Sequence, residues 1–220
     1  MIIRRFLNDD PETPYAPLWD FSIGTTFCAN INVESLAKFL LSKEREVKNL
    51  PISIDQEGNF TDGYTGLGKN STTSRFQRYN VLQWDNPEVK KLKQNIIDGI
   101  IEYNRNCGNK NPDELYIACW YNILRFGQRI TPHLHSSESD CYLTGHFNVQ
   151  VEDTSTVYMY PINQINEPKN IPIKNINGEF SLVPSYIIHY TTRHYSFKPR
   201  ITIGFDLNTK CLASNWMRII

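Results

Sequence analysis

Apolar positions recur along this chain with two different periods, and the change of period divides it. Over residues 33–47, Val33, Leu36, Ala37, Leu40 and Leu41 fall at helical spacing behind Asn32, a suitable N-cap. A second helix is expected to open at Asn86-Pro87, a capping residue followed by proline at the first helical position. Val89, Leu92, Ile96, Ile97, Ile100, Ile101 and Tyr103 give it a broad apolar stripe, and Gly108 after Cys107 supplies a stop signal. Between the helices, residues 58–80 are rich in Gly, Ser, Thr and Asn and have no period.

From Leu115 onward the period shortens to that of strands. Short β-type runs occur at 115–126, 141–151, 155–161, 178–185, 186–192 and 199–207, with His133-Leu134-His135 as a further short piece and a Pro/Asn-rich stretch over 162–177. Many short strands punctuated by turn residues suit a sandwich or jelly roll. No repeat or linker is visible, so a single domain over 1–220 is expected. In it, a helical and loop part, 1–114, packs on a β core formed by 115–220.

Composition narrows the classes. The 220 residues carry 23 basic and 23 acidic side chains, so net charge is zero and no field is available to hold nucleic acid. No segment approaches the roughly 20 apolar residues of a membrane span, and the N-terminal MIIRRFLNDDPETP lacks the apolar run of a secretory signal. Five cysteines without Cys-x-x-Cys spacing argue against a disulfide framework or a zinc ribbon. A cytoplasmic protein is expected. The Gly63, Gly66, Gly68 series is not read as a phosphate-binding loop, because Gly68-Lys69 is followed by Asn70 and no buried strand precedes it. An ordered loop beside a substrate entrance is the simpler reading.

The chemistry lies in the histidines. His133 and His135, two apart on an extended segment, point to one side. His189 follows fifty-six residues after His133, inside an otherwise apolar run, and can join them if its strand lies alongside. Converging imidazoles without thiolates suit a first-row metal with open positions, Fe(II) above all. Each histidine could equally be a structural residue bonded to a backbone carbonyl. Asp140 could replace His135 and give the commoner two-histidine, one-carboxylate set. Cys141 and His146 are read as structural and His194 as exposed.

In Pro199-Arg-Ile-Thr-Ile-Gly-Phe-Asp-Leu207, Arg200, Thr202 and Gly204 share one face and Ile201, Ile203 and Phe205 the other. If the first face is inward, Arg200 needs an anion, and Thr202 can donate to the same carboxylate. If it is outward, it is an ordinary solvated face. Asn122 interrupts the apolar strand around Trp120 and requires a partner, whether backbone or ligand. Tyr190, Tyr195 and Phe197 are candidates for an entrance wall.

Taken together, Trp120-x-Asn122, Gly127, His133-x-His135, Leu143-Thr-Gly-His-Phe147, Gly178-Glu-Phe-Ser-Leu-Val-Pro-Ser185, His189 and Arg200-Ile-Thr-Ile-Gly-Phe205 resemble the 2-oxoglutarate/Fe(II)-dependent oxygenases. The likeness is weaker upstream, in Gly66-Leu-Gly68 and Ser71-Thr-Thr-Ser-Arg75. It implies a double-stranded β-helix, that is, a mainly β jelly-roll or cupin-like barrel with flanking helices. It further implies Fe(II), 2-oxoglutarate and O2 as cofactor and cosubstrates. His133 and His189 correspond to the first and distal iron ligands, and Arg200 and Thr202 to the pair that grips the far carboxylate of 2-oxoglutarate, with Asn122 beside them. Where most members have His-x-Asp or His-x-Glu, this chain has His135. The implied activity is hydroxylation, or another oxidation, of a small molecule or a peptide side chain, by a chain that could form a homodimer. Two other readings remain open: a cupin-like metalloenzyme that does not use 2-oxoglutarate, and a non-catalytic jelly-roll binding module.

Overall fold

A computed structural model describes residues 1–220 apart from 9, 163–165 and 167. The chain opens with two strands, β1 (Ile2–Leu7) and β2 (Asp20–Phe27), then forms helices α1 (Val33–Lys48) and α2 (Pro87–Asn106). Eight strands follow: β3 (Tyr116–Leu124), β4 (Leu143–Gln150), β5 (Ser155–Met159), β6 (Asn170–Lys174), β7 (Glu179–Pro184), β8 (His189–Thr191), β9 (Arg200–Asn208) and β10 (Met217–Arg218).

Both helices start where the caps predict. Asn32 Oδ1 accepts from Ser35 N, and Asn86 Oδ1 accepts from Glu88 N and Val89 N ahead of Pro87. Their buried positions, Leu36, Ala37 and Leu40 on α1 and Val89, Leu92, Ile96 and Ile100 on α2, lie on the apolar stripes read from the sequence.

A seven-stranded sheet in the order β1-β2-β7-β4-β9-β3-β10 faces a three-stranded sheet in the order β6-β5-β8, with every pairing antiparallel. This is the mainly β, jelly-roll type of architecture with helices on one side. On the large sheet, alternation divides the strands cleanly. Ile117, Cys119, Tyr121 and Ile123 of β3 and Ile201, Ile203 and Phe205 of β9 join the helices in one apolar core. Trp120, Asn122, Arg200, Thr202, Gly204 and Asp206, from the opposite face, line a cavity between the sheets. A second, smaller apolar cluster of Phe21, Ile23, Tyr158, Val183 and Ile187 fills another part of the barrel interior.

Three features differ from the sequence reading. The sheet does not begin at 115: β1 and β2 extend it through the pairing of β2 with β7. Their pattern was obscured because β1 has no fully buried residue, its burial following an edge position. Within the Pro/Asn-rich stretch 162–177, Asn170–Lys174 is strand β6 on β5, while 163–165 and 167 lie outside the described residues. The histidine pair is not a ladder strand; His133 makes a single isolated bridge to His189.

Helix α2 approaches the sheet so closely that a Cβ at Gly99 would sit 2.2 Å from Phe180 Cζ. In the centre of the sheet the constraint is harder, since a Cβ at Gly145 would sit 2.3 Å from the Ser181 backbone oxygen and 2.4 Å from Phe205 Cζ. A backbone oxygen held in a ladder on both sides cannot yield. Gly145→Ala is therefore expected to cost about 2–3 kcal/mol, in the range of overpacked cores, read as a lower urea midpoint with an unchanged m-value.

Candidate metal centre and anion site

The first link is a pair of backbone hydrogen bonds. His133 N donates to His189 O at 3.1 Å, and His189 N donates to His133 O at 2.9 Å. A third, His135 N to Ser185 O at 3.0 Å, fixes the next turn of the segment. These bonds bring the three imidazoles together, with ring centroids 4.6 Å apart for His133 and His189 and 5.1 Å for each of the other two pairs.

The ring nitrogens are sorted by their partners. His133 Nδ1 lies 2.8 Å from Thr131 O and His189 Nδ1 lies 3.0 Å from Ile187 O. A carbonyl can only accept, so each Nδ1 carries the proton and each Nε2 is left as a lone pair. His135 Nδ1 lies 2.7 Å from Asp206 Oδ1. Its Nε2 is 3.4 Å from His189 Nε2. One ligand atom from each of the three residues falls within 4.8 Å of the others. Burial, with the neighbouring His135 adding to it, pushes His133 down to about 4, and burial with both other rings holds His189 well below the usual histidine range. His133 and His189 are thus neutral at physiological pH, the state a metal requires. Two nitrogens each bound to one ion at about 2.0–2.1 Å can be up to about 4.2 Å apart, so the 3.4 Å pair suits a shared first-row cation. The set has the chemistry of a metal site, and Asp140 has no part in it, lying instead 3.5 Å from Lys210.

Deeper in the same cavity sits Arg200, 1% exposed. Its Nε donates to Thr154 Oγ1 at 3.1 Å, and Nη1 reaches Thr202 Oγ1 only at 3.5 Å. A guanidinium has five N–H donors, and among the described residues no carboxylate pairs with this one. Burial lowers it to about 10, so it stays charged at neutral pH. A buried cation with most of its donors unused is a receptor for an anion. Asn122 and Thr202 face each other across the β3–β9 ladder and share the cavity wall with Arg200. The carbonyl half of the Asn122 amide is taken by Thr73 Oγ1 at 2.6 Å.

The cavity, about 670 Å³, holds both the histidine cluster and Arg200. That volume falls among sites for small ligands, roughly 300–1,000 Å³. Its outer wall comes from the aperiodic segment, with Thr61, Asp62, Tyr64, Thr73 and Phe76 lining it. The segment is clamped to the approach to His133: Thr131 N donates to Thr65 O at 2.9 Å and Thr131 Oγ1 to Tyr64 O at 2.7 Å. Tyr64 is held there at φ 59°, a left-handed conformation uncommon for a bulky residue.

Several expectations are corrected. His146, read as structural, lines the cavity, with Nδ1 3.1 Å from Ser181 Oγ and Nε2 3.2 Å from Thr156 Oγ1. His194 is buried, not exposed, because Nε2 donates to Lys198 O at 2.8 Å and its backbone closes the turn against Gly127 and Gln128. Tyr195 and Phe197 are exposed but pack on Phe126, and neither they nor Tyr190 line the cavity; its aromatics are Tyr64, Phe76 and Trp120. Asp206 was passed over, although it continues the Arg200, Thr202, Gly204 alternation by one step and could have been found that way.

The folded chain aligns with solved structures at low sequence identity. It matches a Trichoplax adhaerens prolyl hydroxylase, solved with a hypoxia inducible factor oxygen degradation domain peptide, at TM-score 0.56 and 15% identity, over 86% of this chain and 83% of that one. It matches a Pseudomonas putida prolyl-4-hydroxylase at TM-score 0.53 and 10% identity, over 86% and 93%. It also matches a non-haem alpha-ketoglutarate-dependent epimerase of nogalamycin biosynthesis at 0.52 and 10%, over 84% and 76%. No protein-family model matches the sequence, and no curated protein matches it either. The fold is a double-stranded β-helix like that of these prolyl hydroxylases and the epimerase, with a three-histidine cluster inside it.

His146 provides a pH test. Burial, with Arg200 adding to it, pushes its imidazole down to about 3 from the usual 6.5. The unfolded chain takes up a proton below about 6.5, while the folded state does not until near 3. The unfolded state therefore binds more protons in that window, and stability falls as pH falls. Metal-free protein should lose stability between pH 6.5 and 4, and His146→Gln should flatten part of that slope in urea titrations at several pH values.

Proposed function

We propose that this chain is a non-haem Fe(II) dioxygenase that uses 2-oxoglutarate and O2 to hydroxylate, or otherwise oxidise, a substrate reaching the open end of the barrel. The observation that carries this reading is the joint placement, in one cavity, of three converging imidazoles and a buried cation without a carboxylate. His133, His135 and His189 would hold the iron through their Nε2 atoms, and three protein ligands leave positions open for exchangeable partners. Bound there with 2-oxoglutarate and O2, the iron supplies the oxidative chemistry that yields succinate, CO2 and oxidised substrate.

The protein's own work is positioning. Arg200, assisted by Thr202 and Asn122, takes the distal carboxylate of the diacid and fixes its orientation relative to the histidines. The neutral His146 beside Arg200 adds no competing charge to that end. Thr156, Thr191 and Trp120 complete the wall and limit water. The Thr61–Thr65 segment, with Tyr64, frames the side from which substrate enters. A small molecule or a peptide side chain fits that entrance; the likeness to a prolyl hydroxylase solved with a peptide favours the latter. The five cysteines, none of them in a disulfide, support a reducing compartment such as the cytoplasm, and no helix among the described residues is long and apolar enough to cross a membrane. The three-histidine set also favours a second reading, a cupin-like metalloenzyme that works without 2-oxoglutarate.

Anaerobic Fe(II) titration separates the two: addition of 2-oxoglutarate should develop a visible charge-transfer band, and aerobic turnover should release succinate. Iron uptake with no response to 2-oxoglutarate would select the cupin-like reading. Arg200→Met should weaken 2-oxoglutarate about 10- to 100-fold, the equivalent of a charge-assisted hydrogen bond of about 1.5–3 kcal/mol. Because an unpaired buried charge is costly, the same variant, without ligands, should melt at the wild-type temperature or above it. Unchanged 2-oxoglutarate affinity would remove Arg200 from the anion site.

A further inference from the structure

The three imidazoles are not held in the same way. His133 and His189 each give their Nδ1 proton to a neutral backbone carbonyl. His135 alone faces a carboxylate, with Nδ1 2.7 Å from Asp206 Oδ1. That oxygen is shielded from solvent and accepts no hydrogen bond of regular geometry, so the 2.7 Å approach to His135 is a close polar contact rather than an aligned hydrogen bond. Among the described residues no lysine or arginine pairs with Asp206; its ion-pair contact is His135. Trp120 packs against the ring at 5.8 Å between centroids and His189 stacks on it at 5.1 Å.

The origin of the contact is a sheet register. Asp206 pairs across the ladders with Ala118 and Thr144, and it lies on the same face of β9 as Arg200 and Thr202. One strand thus presents a cation to the deep end of the cavity and an anion to the histidine cluster. A set of three neutral imidazoles brings no negative charge to a dication. A carboxylate behind one of them fixes its tautomer, aims its Nε2 and raises its basicity, and such partners typically change metal affinity 10- to 100-fold.

We infer that Asp206 is the positioning residue of the metal centre: it acts through His135 and supplies, one atom shell out, the negative charge that the three histidines lack. The inference rests on the metal-centre reading above and not on the use of 2-oxoglutarate. The test is Co(II) titration of the full chain, followed by the visible d–d absorption. Asp206→Ala is expected to bind cobalt about 10- to 100-fold more weakly than wild type and to shift the absorption envelope, because the basicity of one donor falls. Asp206→Asn keeps the size and loses the charge, so it should weaken binding by about 10-fold even if the alanine variant folds poorly; melting of the metal-free proteins reports folding separately. Wild-type affinity and an unshifted spectrum in Asp206→Asn would overturn the role of Asp206 while leaving the metal centre intact. Failure of the wild-type chain to take up cobalt would overturn both.

Discussion

Everything at this site depends on two backbone hydrogen bonds, between His133 and His189, that join a segment with almost no regular structure to the short edge strand β8. Each histidine is both donor and acceptor in that bridge, so the side chains emerge on the same side by the geometry of antiparallel pairing. The rings are then set by further carbonyls within two residues of each, Thr131 for His133 and Ile187 for His189. The geometry of the histidine cluster is therefore written largely in main chain. That makes it insensitive to side-chain substitution around it and sensitive to anything that shifts β8 against the segment preceding β4.

The cavity holds two electrostatic problems of opposite sign, and the barrel separates them along one strand. At one end of the inner face of β9, Arg200 is buried among threonines and a neutral imidazole; at the other, Asp206 stands behind a histidine. A charge enclosed without its partner costs free energy in the empty protein. That cost is sustained because the opposite face of the same strand, Ile201, Ile203 and Phe205, is fully buried in the main apolar core with the two helices. The charged cavity wall and the apolar core are assigned to alternate residues of a single β-strand, which is possible because its period is two.

The outer wall of the cavity follows a different rule. Residues 58–80 lack any hydrophobic period, yet they are well tied down: Thr72 and Thr73 donate to Tyr121 O and Asn122 Oδ1 of β3, and Tyr64 and Thr65 are bound through Thr131. Hydroxyl-to-backbone bonds replace apolar burial as the ordering force. The composition of that stretch, rich in Thr, Ser, Asn and Gly, is what such an arrangement needs, and it places the segment at the mouth of the site.

Local pattern determined much of this protein by itself. The two helices and their caps, the six principal strand runs, the pairing of faces on β9 and the residue types His133, His135, His189, Arg200, Thr202 and Asn122 were all legible, because each depends on spacing within a few residues. Asp206 lies within reach of the same two-residue alternation, but no local feature marks which carboxylate will meet a histidine 71 residues away in the chain. What only the tertiary structure decided depends on register between distant segments. It brought β1 and β2 onto the sheet, buried His194, moved His146 into the cavity wall, removed Asp140 from the histidine cluster and turned Tyr195 and Phe197 away to Phe126. The physical reason is that side-chain direction is a local property of backbone conformation, whereas side-chain company is set by which strands pair and in what register, and that is determined by burial summed over the whole barrel.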